Sequence, residues 1–167
     1  MKLFIVIMIL IISCSRGFKK EEENNPLKDK LTKLQYEVTQ NCSTEPPFKN
    51  EYWDNKEDGI YIDIVSGKPL FCSIHKYDSG TGWPSFYDII DDEAVKESDD
   101  YETGYKRIEL KSTSSNSHLG HLFNDGPNPT GMRYCINSAS LKFIKYDDLD
   151  KEGLGDYKKL FKKTDDS

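Results

Sequence analysis

Six short segments rich in β-branched and aromatic side chains recur from the middle of this chain to near its end. They are GIYIDIV (Gly59 to Val65), LFCSI (Leu70 to Ile74), YKRIELK (Tyr105 to Lys111), HLGHLF (His118 to Phe123), MRYCIN (Met132 to Asn137) and SLKFIKY (Ser140 to Tyr146). Segments of this length and composition form strands. Between them lie turn-forming stretches, SGKP, the Gly-rich DSGTGWPSF and the Pro/Gly/Asn loop NDGPNPTG. Many short strands joined by turns predict a compact antiparallel β fold with helices at its periphery. The spacing of Leu27, Leu31, Leu34 and Val38 predicts one short helix over residues 26–41. DDLDKEG and DYKKLFKK predict two more at the C-terminal end. DDEAVKESDD, residues 91–100, is expected to be an acidic, solvated excursion.

The chain has 167 residues, enough for one domain with a real core. A net charge of -6 argues against a nucleic-acid partner. The N-terminus carries a lysine and then an apolar run from Leu3 to Ile12, too short to span a bilayer but of the length of a signal-peptide core. It ends at Cys14 and resembles a bacterial lipoprotein signal, which implies an acylated Cys14. The expected organisation is a leader over residues 1–13, a lipidated Cys14 with a charged tether to residue 30, and one domain over 31–167. The expected location is exported and anchored to a membrane, facing the periplasm or the cell exterior. With Cys14 acylated, Cys42, Cys72 and Cys135 remain, and an odd number in an exported chain leaves at least one thiol unpaired.

The stretch from Ser117 to Asn137 concentrates the chemistry. If MRYCIN is extended, Arg133, Cys135 and Asn137 share one face and Tyr134 and Ile136 the other. A structural cysteine belongs on the Tyr/Ile face, so Cys135 stands out as displayed. His118 and His121 are three residues apart, which in a regular strand points them to opposite faces. Gly120 between them permits a bulge that brings both to one side. Three chemistries compete for this set. A structural zinc site takes four ligands, often in C-x-x-C pairs, and the chain has no such pair. A cysteine hydrolase needs a histidine base oriented by Asn or Asp, for which His118 and Asn137 qualify by type. Sulfur redox chemistry needs an accessible thiolate beside a cation, proton donors for a departing oxygen and an apolar wall. Arg133, the two histidines and Trp83 are of the right types.

The blocks YDSGTGWPSF and SHLGHLFNDGPNPTGMRYCINSASLKFI, preceded by LQYEVTQNCSTEPPFKNEYWDNKEDGIYIDIVSGKPLF, resemble in order and spacing those of the B-type methionine sulfoxide reductases. The resemblance covers roughly residues 30–145. It implies two packed antiparallel β-sheets and reduction of the R epimer of methionine sulfoxide, free or in proteins. It implies Cys135 as nucleophile, with His118, His121 and Asn137 as the polar groups about it. Asp125 and Arg133 fall on a charged pair near the cysteine, and Trp83 on the residue that receives the substrate's S-methyl group. No cofactor is implied, and a thioredoxin-like thiol is the implied reductant. The alternative is a lipid-anchored binding module of the same fold without turnover.

Two departures follow. The positions of the family's zinc-binding C-x-x-C pairs hold Asp63 and Ser66, then Ser112 and Ser115, so a zinc-free form is expected. The loop before GWPSF carries Thr81 where many members have a resolving cysteine. Cys42, Cys72 or an external thiol must then complete the cycle. Arg133 is expected to lower the Cys135 thiol. Because nucleophilicity falls with basicity, the net gain is only about threefold. A positioned acid is worth on the order of 10² to 10⁴.

Overall fold

The computed structural model describes residues 25–164. Cys14, the leader and most of the tether lie outside the described residues. Nine strands are present among the described residues: β1 Gly59–Asp63, β2 Pro69–Cys72, β3 Lys76–Tyr77, β4 Ser85–Phe86, β5 Val95–Asp100, β6 Arg107–Ser112, β7 His118–Phe123, β8 Arg133–Ile136 and β9 Leu141–Lys145. They form a three-stranded sheet, β2-β1-β9, and a six-stranded sheet, β3-β4-β8-β7-β6-β5. Every paired strand is antiparallel. The protein is thus mainly β, two antiparallel sheets with short helical elements toward both ends, as expected.

Alternation explains how the sheets pack. Tyr61 and Phe71 point from the small sheet toward Phe86, Leu110, Leu119, Leu122 and Ile136 of the large one. Phe71 and Phe86 stack with ring centroids 4.5 Å apart. Ile60, Ile62, Cys72 and Ile144 face the other way, under Leu149 and the C-terminal residues Tyr157, Leu160 and Phe161. Burial on both faces is why β1 is a nearly unbroken apolar run.

Three expectations change. The single helix over residues 26–41 is two, α1 Pro26–Lys30 and α2 Lys33–Asn41. Leu31 between them is extended, and Thr32 and Gln35 form a reciprocal capping box that starts α2. The acidic stretch is not a solvated excursion throughout: its second half is β5, paired along its whole length with β6. The C-terminal segments are helical as expected but of the 3₁₀ type, Tyr146–Asp148 and Gly155–Thr164.

Gly120 permits the irregularity in β7. Lys111 pairs with His118 and Leu110 with Gly120, so Leu119 is an extra residue. The bulge turns His118 and His121 to one side, ring centroids 5.5 Å apart. A Cβ at Gly120 would lie 2.0 Å from the Cys135 carbonyl oxygen, so no larger residue fits.

Candidate active site

Register places the site. Ser85 pairs with Cys135, Cys135 with His121, His121 with Glu109 and Glu109 with Ser98. Side chains at paired positions share a face, so these five residues form one row across five strands. The row lies on the face of the large sheet away from the core. Helix α2 packs against β7, and the chain after it runs on to Glu45.

Cys135, second in the row between Ser85 and His121, is partly buried. It opens on a cleft of about 130 Å³ shared with Trp83, Arg107, His121 and Asn137. Burial pushes its thiol up, and the Arg133 charge with hydrogen bonds from Thr81, Arg133 and Ser85 only partly offsets this. The expected net lowering of the thiol by Arg133 is therefore corrected: desolvation outweighs the cation. Thr81 sits beside the sulfur, and its hydroxyl also bonds that of Ser79, 2.8 Å away, which reaches Ser85 at 2.7 Å.

His121 donates from Nε2 to Asp100 Oδ2 at 2.8 Å. The same oxygen accepts from Arg107 Nε at 3.0 Å. The backbone N–H of Glu102 and the His121 contact hold the Asp100 carboxyl well below the usual carboxylate range, so it is ionised. His118 does not line the cleft at Cys135. It is 1% exposed, and its Nδ1 donates to Glu109 Oε1 at 2.8 Å. Burial pulls its imidazole down, against the pull of Glu109, so the neutral form is favoured.

Asn137 is buried and tied to backbone: Nδ2 donates to the Leu119 carbonyl at 3.0 Å and Oδ1 accepts from Glu45 N at 3.1 Å. The Trp83 indole N–H donates to the Glu45 carbonyl at 3.0 Å, which fixes the ring at the cleft wall. The Glu45 carboxylate in turn accepts from the N–H groups of Ser138 and Ala139. Arg133 forks onto Asp125, with Nε to Oδ1 at 2.8 Å and Nη2 to Oδ2 at 2.9 Å, and lies 4.2 Å from the Phe123 ring centroid.

The two other thiols differ. Cys72 is fully buried on the far face of the small sheet, and burial pushes it up to about 11. The core stands between it and Cys135. Cys42 caps the C-terminus of α2 at a φ of 55°, and its thiol donates to Glu109 Oε1 at 3.4 Å. Glu109 is two strands from Cys135, about 10 Å between Cα atoms.

Three of the four positions that would hold zinc come together, while the buried Ser112 hydroxyl has no partner among the described residues. Asp63 Oδ2 accepts from Ser66 at 2.5 Å and Ser115 at 2.6 Å. Zinc favours thiolate and imidazole, and these hydroxyls already satisfy the lone carboxylate, so the set does not fit the metal.

Asp100, Arg107, Glu109 and Glu45 were not singled out from the sequence. The alternation of YKRIELK already set Arg107, Glu109 and Lys111 on one face, which was a usable signal. Asp100 gave none, because four of the six residues of its strand are charged.

A nucleophile-type cysteine among hydroxyls and a guanidinium, facing an indole wall and a carboxylate-held imidazole, defines a thiol-chemistry site on a two-sheet β scaffold. The model of the SelR domain matches residues 31–145. The chain is also 56% identical over 136 residues to the peptide methionine sulfoxide reductase MsrA/MsrB of Vibrio cholerae serotype O1, a match covering 81% of this chain and 36% of that protein. The chain thus matches little more than a third of that relative's length. It belongs to the SelR-domain family, the B-type methionine sulfoxide reductases.

Proposed function

We propose that the chain reduces methionine R-sulfoxide to methionine through a sulfenic acid on Cys135. The observation that carries this is the row Ser85–Cys135–His121–Glu109 beneath Trp83: nucleophile, proton carrier and apolar wall meet at one cleft.

The substrate's S-methyl group packs against the Trp83 ring, which Glu45 fixes. The sulfoxide oxygen turns toward His121. Its Nε2 is held by Asp100, so Nδ1 is the nitrogen left for the oxygen. Cys135 sulfur attacks the sulfoxide sulfur. The thiol proton passes through His121 Nδ1 to the oxygen; the hydroxyl then moves to the Cys135 sulfur as the new sulfur–sulfur bond breaks, and methionine leaves as a thioether. The oxygen ends on Cys135: thiol plus sulfoxide gives sulfenic acid plus thioether. A second thiol then displaces water from the sulfenic acid and forms a disulfide. Burial disfavours the thiolate, which places the demand on the acid. His118 supports this from behind, through Glu109, which lies beside His121 in the row.

For regeneration, Cys72 is set aside by its burial on the wrong face. Cys42 reaches Cys135 only if the last turn of α2 unwinds, since a disulfide needs Cα atoms within about 7 Å. An external, thioredoxin-like thiol is the simpler reductant. Acylation at Cys14 and an exported, membrane-anchored location remain part of the same reading, supported by the apolar run that ends there. The test is turnover of both sulfoxide epimers with dithiothreitol. Reduction of the R epimer alone supports the proposal, and equal or no reduction of both refutes it.

A further inference from the structure

Beside the Cys135 cleft lies a second cavity, of about 270 Å³, lined by Cys42, Asp100, Glu102, Glu109, Lys111 and His118. The reaction above gives Cys42 no necessary part. Yet Cys42, Glu109 and His118 each offer one donor atom, and these atoms lie within 4.8 Å of one another. We propose that Cys42, Glu109 and His118 form a site for a soft divalent cation of the zinc class, with the fourth position open to water.

The donor set is one sulfur, one oxygen and one nitrogen, the mixture zinc-class ions accept. Usual metal–ligand lengths give tetrahedral edges of about 3.3–3.6 Å between donors. The Cys42 Sγ to Glu109 Oε1 edge is already 3.4 Å. The His118 Nδ1 to Glu109 Oε1 edge is 2.8 Å and must widen by about half an ångström, as the bridging proton leaves. The His118 proton moves to Nε2, which has no partner in the buried site. The Cys42 proton goes to solvent, so a divalent ion exchanges for a thiol proton and faces one thiolate and one carboxylate, a neutral set.

The ligands are held in place before any ion arrives. Glu109 Oε2 is taken by Lys111 at 3.1 Å and Ser98 at 3.2 Å, which turns Oε1 to the site. Cys42 is fixed by the left-handed cap that ends α2, and His118 by the β7 bulge. With the thiolate formed, Asp100, Glu102, Glu109 and Cys42 outweigh Arg107 and Lys111 by two charges, which favours a cation. The site is distinct from the Asp63 cluster, on which the zinc-free expectation rests.

The probe is cobalt(II), titrated into the reduced, chelator-treated full chain. Expected are one ion per chain with a near-ultraviolet thiolate-to-cobalt band, displaced by zinc. Cys42→Ser should abolish the band and Glu109→Gln weaken binding at least tenfold, while Cys135→Ser keeps both band and stoichiometry. Unchanged thermal melting of the apo variants shows that they fold. A band lost in Cys135→Ser, a band kept in Cys42→Ser, or no band at all overturns the proposal. Slower turnover with zinc bound, through loss of His118 and Glu109, is a further expectation that rests on the proposed reaction; the cobalt band does not depend on it.

Discussion

Replacing Thr81 with cysteine should convert this chain to internal disulfide formation. Thr81 hydrogen-bonds the Cys135 sulfur, so a thiol at that position starts in contact with the sulfenic acid and needs little backbone motion. The bond would close a loop of about 55 residues, which the chain-entropy relation values at about 4 kcal/mol. For a chain of this size that raises the melting temperature of the oxidised form by about 10 °C over the reduced form. The assay treats Thr81→Cys and the parent with excess R-sulfoxide and no reductant, then counts free thiols, maps disulfides and records melting. The variant should lose two thiols and show a disulfide between Cys135 and the introduced thiol. A variant that loses only one thiol and gives a dimedone adduct on Cys135 would refute the placement of Thr81 beside the reacting sulfur.

Other outcomes follow from the same geometry. His121→Ala should lower kcat by about 10² to 10⁴, and by more than His118→Ala or Arg133→Lys, because His121 alone of these lines the cleft as a proton carrier; steady-state kinetics ranking Arg133→Lys lowest would give Arg133 the larger role. Trp83→Ala should reduce kcat/KM about 10- to 100-fold, from about 1.5–3 kcal/mol of lost apolar contact, and an unchanged kcat/KM would remove the indole from substrate binding. Alkylation of Cys135 by iodoacetamide should accelerate with pH through a midpoint above that of a free thiol, since burial disfavours the thiolate. Arg133→Met, which removes the opposing positive charge, should move that midpoint higher still; a move downward contradicts the assigned sign.

What could be seen in the sequence was what alternation encodes. The displayed face of MRYCIN follows from a period of two, and the turning of both histidines to one side follows from Gly120. Thr81 was legible only through the family resemblance, which set it at the usual resolving position, and not through alternation. What could not be seen depends on pairing across strands or on burial. Asp100 reaches His121 from 21 residues away, through a strand whose acidic composition hides it. Cys42 meets Glu109 across 67 residues, because α2 happens to end over β6. The sign of the Cys135 shift depends on how much water surrounds the sulfur, and Arg133 two residues away reveals only the opposing charge. The split between α1 and α2 was legible in the T-x-x-Q capping box at residues 32–35, but the longer leucine spacing masked it.

The central claim is that Cys135 takes the oxygen from an R-sulfoxide. A single-turnover experiment tests it most directly: the reduced chain, cleared of small thiols, is mixed with excess of each epimer, and methionine and Cys135 oxidation are measured together. The account predicts about one methionine per chain from the R epimer, matched by loss of the Cys135 thiol, with almost none from the S epimer or from Cys135→Ser. Methionine formed by Cys135→Ser at the parent's yield, or formed while the Cys135 thiol stays reduced, would contradict it.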